Sequence, residues 1–225
     1  MSLIVPVLNE ERVIIEQLDA IQGLPGRWET IVVDGGSTDR TVELIRAHPA
    51  AVSLIQGRGG RAAQLNAGAA VASGEVLLFL HADARLPPGA HGALRAALND
   101  PEVIGGNFAL RFTGADRLSQ LLTLWCALQR RLGVYHGSSA IWLRRDVFIA
   151  LRGFAALEVM EDYEMARRLE RAGRTACLAG PVLASARRWQ RGGLLRALLS
   201  WTLVRWLFLA RVPTRLLAKL KPSVR

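Results

Sequence analysis

Four polar features of this chain fall just after apolar runs, and their side chains suit phosphate and nucleoside chemistry. Asn9-Glu10 follow the run Ser2–Leu8, and Asp34 closes Glu29–Asp34. The loop Gly57-Arg58-Gly59-Gly60-Arg61 follows Val52–Gln56, and Asp83 lies just past Val76–His81. A carboxylate accepts from a base imide or a ribose hydroxyl. Gly backbone and Arg cradle phosphates, and a second carboxylate holds a divalent cation that bridges them. One acidic residue at a strand end is common. Acidic residues after the second and fourth runs, with a Gly-rich basic loop between, describe a nucleoside-diphosphate site.

Those positions make sense only if the runs are buried strands. Asn9 can cap a helix whose apolar positions Val13, Ile14, Leu18 and Ile21 recur at helical spacing. Gly35-Gly36-Ser37 turns into a helix through about Ala47, and an Ala-rich helix runs from Ala62 to about Ala72. Pro87 and Pro88 open a helix to about Leu98, and Val103–Phe112 reads as a further strand. Strand and helix alternate four times, which predicts an α/β fold with a mainly parallel, doubly wound sheet. Ligands bind such sheets outside the carboxyl ends of the strands.

The second half changes character. Leu118, Leu121, Leu122, Trp125, Leu128 and Leu132 form one stripe of an amphipathic helix. A Gly-Ser-Ser turn at Gly137–Ser139, a short strand Ala140–Leu143 and a helix Asp162–Ala172 follow. The segment Leu194–Val212 is rich in Leu, Trp and Arg, but its longest uncharged run, Ala197–Val204, is too short to span a bilayer. It reads as an interfacial helix with snorkelling Arg and anchoring Trp201 and Trp206, or as a helix packed on the domain or a second subunit. The division expected is a catalytic domain over 1–190 and an amphipathic basic helical segment over 191–225.

Composition narrows the partners. A hydrophobic share of 51% against 21% charged residues describes a globular chain with a substantial core. The net charge of +10, almost all from Arg, favours anionic partners: phosphate-bearing ligands or the acidic face of a membrane. Nucleic acid is excluded as the expected partner, because no recognition motif and no aromatic platform interleaved with Arg is present. Cys126 and Cys177 have no metal-type spacing and read as buried thiols in a reducing compartment. The opening MSLIVPVLNEE lacks a basic leader and a cleavage site, so the expectation is a cytoplasmic protein, peripheral at the inner face of the membrane.

The segments SLIVPVLNE, IVVDGGSTDRT, GRAAQLNAGAAVASGEVLLFLHAD and MEDYEMARRLERAGR resemble, in order, the successive motifs of family 2 inverting glycosyltransferases of the GT-A fold. The likeness covers roughly Met1 to Trp189, and DGGSTD combined with HAD resembles a small bacterial subgroup associated with arsenosugar biosynthesis. The resemblance implies that Asp34 contacts the uracil or ribose of a donor, with Pro6 and Glu10 walling the base and Arg61 near the diphosphate. It implies that Asp83 is the last aspartate of a DxD motif that holds Mn2+ or Mg2+. Asp162, in the pair Glu161-Asp162, matches the catalytic base, and Arg188-Trp189 match the end of a QxxRW motif. A nucleoside-diphosphate sugar, UDP by default, would then be displaced at its anomeric carbon by an acceptor hydroxyl.

Departures bear on this. The first DxD position is His81, which can contact donor or metal but removes one negative charge from a hard-cation site. Ser185 stands at the QxxRW glutamine, and Gly137-Ser138-Ser139 stand where the arsenosugar subgroup would carry Gly-Asp-Gln. Plainer roles compete for each residue. Asp34 can brace a turn, Glu161-Asp162 can cap a helix, Arg188-Trp189 can form a surface cation–π pair, and His48, His91 and His136 read as surface or packing residues. Two rival functions remain: a sugar nucleotidyltransferase, disfavoured by Val-Leu-Asn-Glu-Glu after the first strand, and a catalytically weak membrane-surface scaffold that keeps the fold, motivated by His81. A homodimer is a further expectation from the C-terminal segment.

Overall fold

The first apolar run forms β1 (Ser2–Val7), and its alternate residues enter opposite layers. Leu3, Val5 and Val7 join one apolar layer, while Ile4 joins the other. That is the two-sided burial expected of a central strand in a parallel sheet. The chain continues through α1 (Ile14–Gln22), β2 (Glu29–Asp34), α2 (Thr41–Ala47), β3 (Val52–Gln56), α3 (Arg61–Val71), β4 (Val76–Phe79), β5 (Ala84–Arg85) and α4 (Ala90–Leu98). It then forms β6 (Val103–Thr113), α5 (Arg117–Arg131), a 3-10 turn at Gly137–Ser139, β7 (Ile141–Arg144), α6 (Arg145–Ala150), α7 (Glu161–Ala172) and β8 (Arg174–Ser185). Helices α8 (Leu194–Leu209) and α9 (Thr214–Leu220) follow. This computed structural model describes residues 1–114, 117–185 and 194–220. The expected boundary at 190/191 lies outside the described residues.

The sheet runs β3-β2-β1-β4-β7-β6-β8-β5. Strands β1 to β4 are parallel, as the alternation of strands and helices predicts. The second half departs from a doubly wound parallel sheet, because β7 inserts antiparallel between β4 and β6. One layer packs Ile14 and Leu18 of α1 and Leu94 of α4 against the sheet, and the other packs Leu65 and Ala69 of α3 and Met165 and Leu169 of α7. The fold is α/β, a mixed GT-A-like sheet between helices.

Several expectations are corrected. The fourth strand ends at Phe79, so His81 lies in the following turn, where its carbonyl accepts the Ala84 N–H at 3.1 Å. Asn9 does not cap α1, which begins at Ile14 behind Val13. Cys177 is exposed and Cys126 is half-buried, and both are free thiols. On β8 it is Leu178, the next residue, that turns inward. Burial still pushes the Cys126 thiol up to about 12.

The C-terminal helices pack on the domain. Val204 and Leu217 are buried against Val159, Met160 and Tyr163, with Trp201 and Phe208 beside them, while Leu203 and Trp206 face outward. Among the described residues no helix is long and apolar enough to cross a membrane.

Strand β8 lies parallel to β6 and closes against it at Gly106, where a Cβ would stand 1.9 Å from the Ala176 carbonyl oxygen at φ +153°. Neither backbone can yield without breaking the ladder. Gly106→Ala is expected to cost more than about 3 kcal/mol of stability, read from the midpoint of urea unfolding. A cost under about 1 kcal/mol would show that β6 and β8 are not so closely joined.

Candidate active site

The candidate site lies at the carboxyl edge of β1, β2 and β4. On one side, Asp34 ends β2, is 2% exposed, and accepts the Gly36 and Ser37 N–H groups at 3.0 and 3.1 Å. It therefore braces the Gly35–Ser37 turn, where Gly36 adopts φ +99°. Asn9, itself at φ +55°, clips the neighbouring loop to this turn: its Oδ1 accepts the Thr38 N–H at 2.8 Å, and its N–H donates to Ser37 Oγ at 2.9 Å. Glu10 donates its N–H to Thr41 Oγ1 at 2.8 Å, and its carbonyl accepts from Val13 and Ile14. Pro6 is half-buried on β1, in register with Val33 of β2.

Helix α3 ties this side to the other. Gly60 at φ +88° turns the chain into it, and Gln64 one turn on donates Nε2 to the carbonyls of Val7 and Val33 at 2.8 and 2.9 Å. The first residue of the same helix, Arg61, reaches Glu161 of α7 at 3.4 Å. Gln64 thus fixes α3 on the ends of β1 and β2, and α3 aims Arg61 at the buried carboxylates.

The antiparallel sense of β7 builds the far side. The start of β7 pairs with the end of β4, Ile141 opposite Phe79, so the 3-10 turn before β7 meets the turn after β4. Gly137 donates its N–H to Asp162 Oδ2 at 2.8 Å, and Oδ1 accepts the Tyr163 N–H at 2.7 Å. A Cβ on Gly137 would stand 2.5 Å from His81 Nε2 and 3.3 Å from Asp162 Oδ2, so only Gly fits between them. Met160 before the helix and Ala140 after the turn hold left-handed conformations, at φ +69° and +53°. Such conformations cost energy and persist only where packing dictates them.

Glu161 and Asp162 are 4% and 7% exposed. Burial alone would push the Asp162 carboxyl up, but the imidazole of His136, the Gly137 N–H, Arg61 and His81 together favour its charge and pull it down to about 2. The α7 dipole acts in the same direction. Asp162 is not at the N-cap position, which Met160 occupies, and its carboxylate joins the Tyr163 N–H of its own helix to the Gly137 N–H of a separate segment.

The structure therefore brings together Arg61, His81, Glu161 and Asp162, and places Pro6, Glu10 and Asp34 along the same sheet edge. Asp83 is half-buried in the turn after His81, and its charge acts on Arg85, which hydrogen-bonds to Gln17 and approaches Glu16 at 3.4 Å. Among the described residues no group of three or more His, Cys, Asp or Glu is placed to hold a metal ion. A cation at this edge would therefore have to draw most of its ligands from a bound substrate and not from a protein cage. Arg188 and Trp189 lie outside the described residues.

Sequence reasoning missed His136 and Gly137. The His136 ring lies 5.0 Å from Trp201 and 5.7 Å from Tyr163, between the C-terminal helix and the candidate site. The His-Gly pair preceding a strand was the available signal. His48 and His91 are packing residues as expected: His48 meets Asp19 at 3.1 Å, and His91 stands edge-on to Trp28.

A mixed α/β sheet whose parallel half carries a basic helix start and a buried acidic pair at its carboxyl edge is the arrangement of GT-A-type glycosyltransferases. Residues 2–160 match the model of Glycosyl transferase family 2, and the chain belongs to that family. The match ends one residue before Glu161. The chain is 38% identical over 99 residues to an undecaprenyl-phosphate 4-deoxy-4-formamido-L-arabinose transferase of Pectobacterium carotovorum, covering 39% of this chain and 30% of that protein. It thus spans under a third of the curated relatives it matches. Among solved structures, the mannosyltransferase PcManGT of Pyrobaculum calidifontis, in complex with GDP-Man and Mn2+, is 26% identical with a TM-score of 0.63, over 87% of this chain and 61% of that one. A fragment of S. aureus TarS in complex with UDP-GlcNAc shares the fold at 18% identity and a TM-score of 0.68, over 83% of this chain and 58% of that one.

The pH dependence of stability follows from Asp162. Its folded-state carboxyl lies below the ordinary value of 3.8, so its charge contributes stability above about pH 4 that is lost as pH falls toward about 2. Acid titration of unfolding should show Asp162→Asn losing about 2 kcal/mol less than the wild type across that window. Identical acid limbs would mean that Asp162 is not held ionised by these contacts.

Proposed function

We propose that this chain is an inverting transferase that moves a sugar from a nucleoside-diphosphate sugar to an acceptor hydroxyl. The observation that carries this reading is Asp162: a buried carboxylate kept ionised beside Arg61 and His81, at the edge of the sheet where donors bind in this fold. In the single displacement, Asp162 takes the proton of the attacking hydroxyl as the anomeric C–O bond forms and the bond to the diphosphate breaks. Glu161 holds Arg61, which faces the departing diphosphate, and Asp34 with Pro6 and Glu10 receives the nucleoside. Gly137 orients the base through its N–H.

Asp83, with His81 beside it, would hold a Mn2+ or Mg2+ ion together with the donor's diphosphate oxygens. Such an ion neutralises charge on the leaving group. UDP is the default nucleotide, and the GDP-Man in PcManGT keeps GDP sugars within the proposal. Arg188 and Trp189 complete the diphosphate side if they act as the QxxRW pair does. The curated relatives are named for undecaprenyl phosphate, and an acceptor presented at a membrane surface extends that to this chain. The arsenosugar label rests on DGGSTD and HAD alone, and Gly137-Ser138-Ser139 argue against that subgroup's acceptor. The division at 190/191, a cytoplasmic and peripheral location, and a homodimer stay proposals of the same rank.

A thermal-shift panel of UDP, GDP, CMP and dTDP sugars, with and without Mn2+, tests the donor. One nucleotide class at roughly a hundredfold over its Kd should raise Tm on the order of 5–10 °C, and Asp83→Ala should abolish the Mn2+-dependent part. No shift with any donor would remove the nucleotide-sugar reading.

The chemistry is tested separately. Asp162→Asn should keep the donor shift and lower kcat about a hundredfold to ten-thousandfold, measured as release of the nucleoside diphosphate. A wild type that binds donor but never releases the diphosphate, even by slow hydrolysis, would favour the scaffold.

A further inference from the structure

Helix α5 is turned inside out. Its buried side carries Ser119 at 1% and Gln129 at 8% exposure, and among the described side chains of the helix Leu122 is the one large apolar residue that is buried. Its outward side carries Leu121, Leu124 and Leu128, and Leu132 follows in the turn just past its end; these are exposed by 54, 67, 56 and 76%. The spacing of three, four and four residues puts these leucines on one line about three turns long. A soluble helix buries that stripe and exposes its amides. Arg117 and Arg131 are exposed on the same side, at either end of the line, and the sequence RLSQLLTLWCALQRR contains no acidic residue. Arg130 points the other way, to Asn107, Thr175 and Glu170.

We propose that the outward face of α5 docks on an anionic lipid bilayer. The leucines enter the headgroup boundary, and Arg117 and Arg131 meet lipid phosphates. Charge decides against a second copy of this chain as the occupant. Packed antiparallel on itself, the helix sets Arg117 against Arg131; packed parallel, it sets each against its own copy. No carboxylate within α5 relieves either arrangement. The net charge of +10 acts in the same direction, toward a negative surface.

The position of α5 links this seat to the candidate site. The helix ends at Arg131, and Gly137, which donates to Asp162, follows six residues later. A bilayer under α5 therefore lies beside the turn that orients the base, where a lipid-borne acceptor would be presented. The docking itself stands on the helix; its use in transfer rests on the acceptor reading above.

The test is co-sedimentation of the full chain with vesicles of phosphatidylcholine alone, or with about one third phosphatidylglycerol. Binding is expected to the anionic vesicles, to weaken with salt, and to fall at least about tenfold in Leu124→Glu/Leu128→Glu. The double variant should keep its circular dichroism and its donor-induced thermal shift, since neither leucine touches the core or the candidate site. Absence of vesicle binding would overturn the proposal. So would undiminished binding by the double variant, or its loss only in Leu203→Glu/Trp206→Glu of α8. Sedimentation velocity showing a wild-type dimer that the α5 variant dissociates would assign the face to a second copy instead. Because the donor shift is read on the same samples, a failed transferase reading leaves the vesicle result standing.

Discussion

Two carboxylates buried side by side at the start of α7 are the constraint around which this molecule is arranged. Removing one ion from water costs several kcal/mol, and removing two neighbours of like charge costs more, unless the surroundings supply donors and positive charge. Here they are supplied from three separate parts of the chain: Arg61 at the start of α3, the turn after β4 with His81, and the 3-10 turn with His136 and Gly137. None of these groups lies next to Glu161 or Asp162 in sequence. The left-handed backbone of Met160 and Ala140, on either side of the Gly137–Asp162 bond, is the local cost of bringing those parts together.

The sheet topology explains how that meeting is possible. In an all-parallel sheet every strand would arrive from the same end, and each carboxyl edge would be followed by a helix. Reversing β7 brings the segment before a strand to the carboxyl edge instead. A backbone N–H from a tight turn can then face a side chain on the neighbouring helix start. Gln64 does comparable work on the parallel half, where one amide spans the ends of β1 and β2 and leaves Arg61, three residues earlier, free to point across the candidate site. The rigidity of the site is borrowed from strand ends, not from the loops themselves.

How far the sequence revealed this depends on what each residue contacts. Strands β1 to β4 were legible because parallel strands buried on both faces are continuous apolar runs, and the turn residues after them stand out against that background. Strand β8 was not read. Gly180 and Pro181 interrupt it, and the structure absorbs them in an irregularity where Phe108 pairs with Leu178 but Leu110 with Val182. The periodicity of α5 was visible, yet periodicity gives a stripe and not its direction, and here Ser119 and Gln129 took the inner side. His136 looked like any packing histidine, since its importance comes from Asp162, an element away. Asp34 stood out from the residues alone because Gly36 and Ser37, which it binds, follow it in sequence, whereas Arg61 and Asp162, whose partners are distant, were placed by the motifs they resemble.

If Asp162 is the base proposed above, the same contacts that hold it ionised limit what it can do. A carboxylate drawn down to about 2 is always available as an acceptor of protons near neutral pH, but it has little affinity for them. It cannot strip a free hydroxyl beforehand. The proton can move only when the hydroxyl oxygen is already bonding to carbon and has itself become acidic. On that reading, transfer and displacement would fall in one step. In that proposal the groups that make the buried pair tolerable, His136, Gly137, Arg61 and His81, would also set the timing of proton transfer. Stability and timing would draw on one set of contacts, so a change that relaxes the first is expected to loosen the second.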